Sequence, residues 1–150
     1  MADIAGKKIM VVEDDPDATE TLRIVLEDEG CLVCCAENGD EALDKARSER
    51  PDLILLDIMM PSGTEGFHFV WNLRKEDEAE VRNTPIVVLT AIHDKTWVKF
   101  YPEKGDPVYK ESEYLPVQAF LDKPASSGEL VQKIEEVLTS QAESVRGKRQ

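Results

Sequence analysis

Five short, largely apolar runs set the strongest limit on how this chain can fold: KIMVV at 8–12, CLVCCA at 31–36, LILL at 53–56, IVVL at 86–89 and VQAFL at 117–121. Each has strand length, and none alternates cleanly between apolar and polar residues. A strand with one wet face would alternate, so these runs predict strands covered on both faces. The segments between them repeat apolar residues at helical spacing: Ala18, Leu22, Val25 and Leu26; then Ala42, Leu43 and Ala46; then Phe67, Val70, Trp71 and Leu73; and last Leu130, Val131, Ile134, Val137 and Leu138. Strands alternating with amphipathic helices predict an α/β fold, a parallel sheet sandwiched between helical layers.

Punctuation supports the same division. Asp15-Pro16 is an N-cap followed by a first-turn proline, Gly30 stops the first helix, Asn38-Gly39 signals a turn, and Pro51 resets the chain before the third strand. An acidic exit, Glu76 to Glu80, follows the third helix, and Ser126 or Ser127 caps the last. The expectation is one domain over 1–141, with a weakly hydrophobic tail at 142–150 that frays. At 150 residues the chain can bury a core without disulfides or a structural metal.

Composition narrows the function. The net charge of −13 repels phosphate backbones and argues against direct nucleic-acid binding; it suits a basic protein partner or divalent cations. Cys31, Cys34 and Cys35 crowd into five residues, but no histidine or further cysteine completes a metal ligand set, so they read as small apolar strand residues. MADIAGKKIMVV is too short an apolar run for a signal peptide, and no stretch could span a bilayer, so no membrane association and a cytoplasmic location are expected.

In a parallel sheet with helices on both faces, function gathers beyond the carboxyl ends of the strands. There the sequence places Glu13, Asp14 and Asp15 after strand one, Asp57 after LILL, Thr90 after IVVL, and Lys123 after VQAFL in LDKP. Taken singly, Asp15 is a cap, Thr90 a loop residue and Lys123 a solvated cation. Together they form a chemical unit. Clustered carboxylates repel by roughly 4 kcal/mol per close pair at an effective dielectric near 20, and oxygen ligands with room for water suit Mg²⁺. A carboxylate beside such a cation can attack phosphorus and form an acyl phosphate, with Thr90 and Lys123 steadying the phosphoryl oxygens. Asp57 is the expected nucleophile.

This constellation resembles the receiver domain of two-component response regulators, of the chemotaxis-regulator kind. VVEDDP, LILLDIMMP, LTA and LDKP occur in the family's order, over roughly residues 7 to 140. The resemblance implies a doubly wound five-stranded parallel sheet of order 2-1-3-4-5, a flavodoxin-like three-layer sandwich. It implies Asp57 as phosphoacceptor and Mg²⁺ held by Asp14, by Glu13 through water, by Asp57 and by the backbone carbonyl of Met59. It further implies Thr90 and Lys123 on the phosphoryl group, Phe120 with Thr90 as the switch pair, and a cis bond at Lys123-Pro124. The implied partners are a sensor histidine kinase or phosphotransfer protein upstream and a protein target or a second copy downstream. The domain would be a switch that catalyses its own phosphorylation and dephosphorylation, not an enzyme acting on a separate substrate.

The chain departs from the family pattern at two places. PSGTEGF is one residue longer than the usual loop. Thr90 and Lys123 stand farther apart than usual, which implies an insertion at about 93–116. That insertion carries Trp97, Phe100, Tyr101, Tyr109 and Tyr114 among lysines, so it either covers the sheet edge or, with the rest of 93–121, forms an output or dimer face. Met59 and Ile92, both apolar, occupy positions that in the family influence water attack on the acyl phosphate, which implies slow self-dephosphorylation. Two rival functions remain. A Mg²⁺-dependent aspartyl-phosphate phosphatase would need a second acid where Met59 stands. A receiver-like interaction module working without phosphate would need none of these residues.

Overall fold

The computed structural model describes residues 4–58, 65–90, 118–122 and 126–148. Among them the order is β1 (Lys8–Val12), α1 (Pro16–Asp28), β2 (Leu32–Ala36), α2 (Gly39–Glu49), β3 (Leu53–Ile58), α3 (Glu65–Leu73), α4 (Ala79–Arg82), β4 (Ile86–Thr90), β5 (Ala119–Asp122) and α5 (Ser127–Lys148). All pairings are parallel, and the sheet runs β2-β1-β3-β4-β5. The insertion at 93–116, Met59, Ile92, Lys123 and Pro124 lie outside the described residues.

Strand pleating sorts the core into two layers, because successive side chains point to opposite faces. Met10, Val12, Ile54, Leu56, Ile86 and Val88 pack against Ala42, Leu43 and Ala46 of α2 and Phe69, Val70 and Leu73 of α3. Ile9, Val11, Leu53, Leu55, Val87 and Leu89 pack against Leu26 of α1 and Leu130, Val131, Ile134 and Val137 of α5. Each buried aliphatic side chain contributes roughly 1.5–3 kcal/mol, which is why the central strands show no polar alternation.

Right-handed crossovers explain the order of helices. From β1 the chain moves outward to β2 by way of α1 on one face. It then reverses direction, passing through α2 and α3 on the other face to reach β3 and β4. The reversal opens a crevice between the carboxyl ends of β1 and β3, where ligands bind in doubly wound sheets.

Capping follows the sequence closely. Asp15 Oδ1 accepts from Asp17 N at 3.1 Å, with Pro16 in the first turn of α1. Gly30 takes φ 88° just beyond that helix, a conformation disfavoured for a side chain with Cβ. Ser126 Oγ accepts from Glu129 N at 3.1 Å and caps α5. Elsewhere the structure departs in detail. Asn38 caps α2 directly, its side chain accepting from Glu41 N at 2.9 Å, so Gly39 is already helical. Part of the acidic exit winds into the short α4. Among the described residues β5 is Ala119–Asp122, with Gln118 ahead of the strand and its end one residue past Leu121, and α5 continues to Lys148, beyond residue 141.

Candidate functional site

Register assembles the strand ends. Val12 pairs with Leu56, so the next residues, Glu13 and Asp57, reach the carboxyl edge of the sheet at the same level. Asp57 pairs with Leu89, Ile58 with Thr90, and Thr90 with Asp122, the residue before Lys123. The backbones of Asp57, Thr90 and Asp122 therefore follow one another across β3, β4 and β5. Parity puts Asp57, two after Leu55, and Glu13, two after Val11, on the α1/α5 side of the sheet.

Glu13 is 3% exposed and Asp57 9%, whereas Asp14 faces solvent. Buried carboxylates are costly unless paired or hydrogen-bonded. Glu13 Oε1 accepts from Asp15 N at 2.9 Å, and Thr19 Oγ1 donates to the Glu13 carbonyl at 3.4 Å, which fix the turn between β1 and α1. Glu13 Oε2 is buried with no N–H or O–H donor among the described residues. Its neighbours are the carboxyls of Asp57 and Asp14, which can bond to it only by sharing a proton. Burial above all, and next the Asp57 carboxyl, push the Glu13 carboxyl up to about 8.

A cation bound among these oxygens would relieve that cost. No three His, Cys, Asp or Glu side chains among the described residues close into a ready cage. The donor set is open and made only of oxygen. It suits an ion that keeps several waters, as Mg²⁺ does, and does not suit a metal that needs a full protein shell. Thr90 and Phe120 are placed as strand residues, Thr90 at the site edge and Phe120 paired with Val88.

Sequence reasoning missed Arg74 and Gln118. Arg74 Nη1 donates to the carbonyls of Arg82 at 2.8 Å and Thr84 at 2.7 Å, and Nη2 to Gln118 Oε1 at 3.0 Å. An arginine just after a helix reads as solvated, and no spacing pattern in the sequence marks its partners. Among the described residues no helix is long and apolar enough to cross a membrane.

A profile of the response regulator receiver domain family matches residues 9–135. The chain belongs to this family. The receiver domain is 38% identical over 114 residues to the DNA-binding response regulator MtrA of Mycolicibacterium smegmatis, covering 76% of this chain and 47% of that one. It is 38% identical over 95 residues to protein PilH of Pseudomonas aeruginosa, covering 61% of this chain and 76% of that one. The chain thus spans about half the length of MtrA. Among solved structures, chemotaxis protein CheY4 of Vibrio cholerae superposes with a TM-score of 0.70 at 28% identity, covering 89% of this chain and 99% of that one. A CheY-like receiver from Methanospirillum hungatei gives 0.73 at 25% identity, covering 93% and 99%. The chain is a receiver domain homologous to response regulators, with the flavodoxin-like α/β fold.

Proposed function

We propose that Asp57 is the phosphoacceptor of this receiver domain. The observation that carries the reading is the buried Glu13–Asp57 carboxyl pair at the strand ends flanking the reversal of the sheet. A carboxylate oxygen of Asp57 attacks the phosphorus of a phosphohistidine on a sensor kinase or phosphotransfer protein. The O–P bond of the acyl phosphate forms as the P–N bond breaks, and the imidazole nitrogen leaves. Mg²⁺, held by Glu13, Asp14, Asp57 and the Met59 carbonyl, would neutralise the carboxylates and the phosphoryl oxygens when bound. Glu13 keeps the pocket acidic and, fixed by the Asp15 N–H, presents its second oxygen inward. Thr90 and Lys123 hold the phosphoryl oxygens, and Thr90 with Phe120 passes the change to the 93–121 face, where a protein target or a second copy docks. Such a switch needs contacts that differ between its two states, about 5.5 kcal/mol for a move from 1:99 to 99:1.

Intact mass after incubation with acetyl phosphate tests this, with and without Mg²⁺, for wild type and Asp57→Asn. The expected result is a Mg²⁺-dependent gain of about 80 Da, one phosphoryl group, absent in Asp57→Asn. A folded, Mg²⁺-binding wild type that gains nothing would overturn the reading in favour of a phosphate-independent interaction module.

A further inference from the structure

Two of the strand pairings begin on the same device, at the edge of the sheet opposite Asp57. At β1 and β3, Asp52 N donates to the Lys8 carbonyl at 2.7 Å, while Lys8 N donates to Asp52 Oδ2 at 2.8 Å. At β4 and β5, Gln118 N donates to the Ile86 carbonyl at 3.0 Å, while Ile86 N donates to Gln118 Oε1 at 2.7 Å. In both, the residue before a strand closes a two-bond ring on the first residue of its neighbour.

The second ring has more to do than the first. Ile86 and Gln118 are 32 positions apart, so no tight turn sets their register, and β5 is only four residues long. A further donor reaches the same atom, Arg74 Nη2 on Gln118 Oε1. Two converging N–H groups identify that atom as the amide oxygen. The other arm of Arg74 holds the carbonyls of Arg82 and Thr84, which lead into β4. One half-buried guanidinium thus joins the end of α3, the entry to β4 and the entry to β5. Its planar fork makes these contacts together, which a lysine ammonium cannot do with the same geometry.

We infer that Arg74 is a positioning residue for phosphoryl transfer: through Gln118 it sets the register of β5 on β4 that brings Asp122 level with Thr90. The inference rests on the reading above, in which Thr90 and Lys123, the residue after Asp122, serve the phosphoryl group. A two-residue slip of β5 would move its end by about 6–7 Å, and a one-residue slip would turn each side chain to the other face. The Arg74 bonds to the Arg82 and Thr84 carbonyls and to Gln118 lie at the entries to β4 and β5, the edge of the sheet opposite Asp57.

The test uses the whole chain with acetyl phosphate and Mg²⁺, comparing wild type, Arg74→Met, Arg74→Lys and Gln118→Met. Both methionine variants are expected to gain the phosphoryl group about 10- to 100-fold more slowly, with the Mg²⁺ dissociation constant at its wild-type value, because the carboxylates stand on β1 and β3. Arg74→Lys recovers only part of the rate. Amide hydrogen exchange at Ile86 and over 118–122 accelerates in both methionine variants, while Ile9 to Val12 stay protected. Gln118 is exposed, so its substitution separates positioning from any failure of Arg74→Met to fold. Wild-type phosphorylation rates in both variants, unchanged exchange at β4 and β5, or parallel loss of Mg²⁺ affinity would each overturn the inference. If wild type itself takes no phosphoryl group, the Asp57 reading and the positioning role fall together, while exchange alone still decides whether Arg74 sets the register.

Discussion

Glu13, the residue after β1, and Asp57, one before the end of β3, stand at one level, carboxyl beside carboxyl, in a pocket that buries both. Two like charges there cost more than at the surface, and the molecule answers by holding a proton on Glu13 when no cation is present. The carboxyl of Glu13 rises from the ordinary 4.5 to about 8 in the folded chain. Between those values the folded state binds more protons than the unfolded one, so stability falls as pH rises through that window. Metal-free protein in chelator should therefore lose stability to urea from pH 5 to pH 8. Glu13→Gln should flatten that slope, and Mg²⁺ should restore the loss in wild type, by about 2.7 kcal/mol at a hundredfold excess over its dissociation constant. Equal slopes for wild type and Glu13→Gln would sink this account of the pocket.

The three cysteines, which could be mistaken for a metal or redox motif, behave as packing. Burial above all raises the thiols of Cys31, Cys34 and Cys35, and Cys31 Sγ donates to the Ile4 carbonyl at 3.4 Å. A thiol held up in this way keeps little thiolate. All three should react with iodoacetamide at pH 8 more slowly than free cysteine, with buried Cys31 the slowest. Mass spectrometry of timed aliquots decides it, and rapid labelling of any one in native buffer would contradict the burial described.

Much of this is legible in the sequence, for identifiable reasons. Strands β1, β3 and β4 are buried on both faces, so hydrophobicity alone marks them, and Asp15-Pro16 and Gly30 mark the limits of α1 through rules local to the chain. The acids at Glu13 and Asp57 stand out because a charge directly after an uninterrupted apolar run is unusual. The α/β parallel sheet, with β2-β1-β3-β4 at its centre, follows from such signals together with the family resemblance. What could not be read depends on contacts between distant residues. Asn38 looked like half of a turn because its partner, the amide of Glu41, becomes available only once α2 forms. Arg74 and Gln118 are 44 positions apart, and no periodicity connects them.

Arg50 ends α2 in the left-handed conformation, φ 48° and ψ 62°, while its guanidinium pairs with Glu78 and, at 2.6 Å, with Glu80. Left-handed backbone is unfavourable with a Cβ, and glycine relieves it. Both ion pairs are solvent-exposed, so they add little in physiological salt. Arg50→Ala keeps the strain and loses the pairs; Arg50→Gly loses the pairs but sheds the strain. Thermal unfolding should place Arg50→Gly above Arg50→Ala by roughly 2–6 °C, with the gap insensitive to salt. The opposite order would mean that the pairs, not the backbone, dominate at this cap.

The layer assignment makes its own demand on two aliphatic residues. Leu55 is fully buried between β1, β4 and the α1/α5 layer, two residues before Asp57, whereas Ile24 on α1 is 58% exposed. Truncating either to alanine removes aliphatic carbons, but only the first leaves a cavity among close-packed neighbours. Leu55→Ala should cost about 3–5 kcal/mol, and Ile24→Ala no more than about 0.5 kcal/mol, both read from urea unfolding with unchanged slope. The comparison removes the generic hydrophobic term, because the two changes differ mainly in what surrounds the lost atoms. A Leu55→Ala cost below about 1 kcal/mol would mean that β3 is not buried on its α1/α5 face. The carboxyl of Asp57, on that same face by parity, would then lose the low-dielectric setting on which its pairing with Glu13 depends.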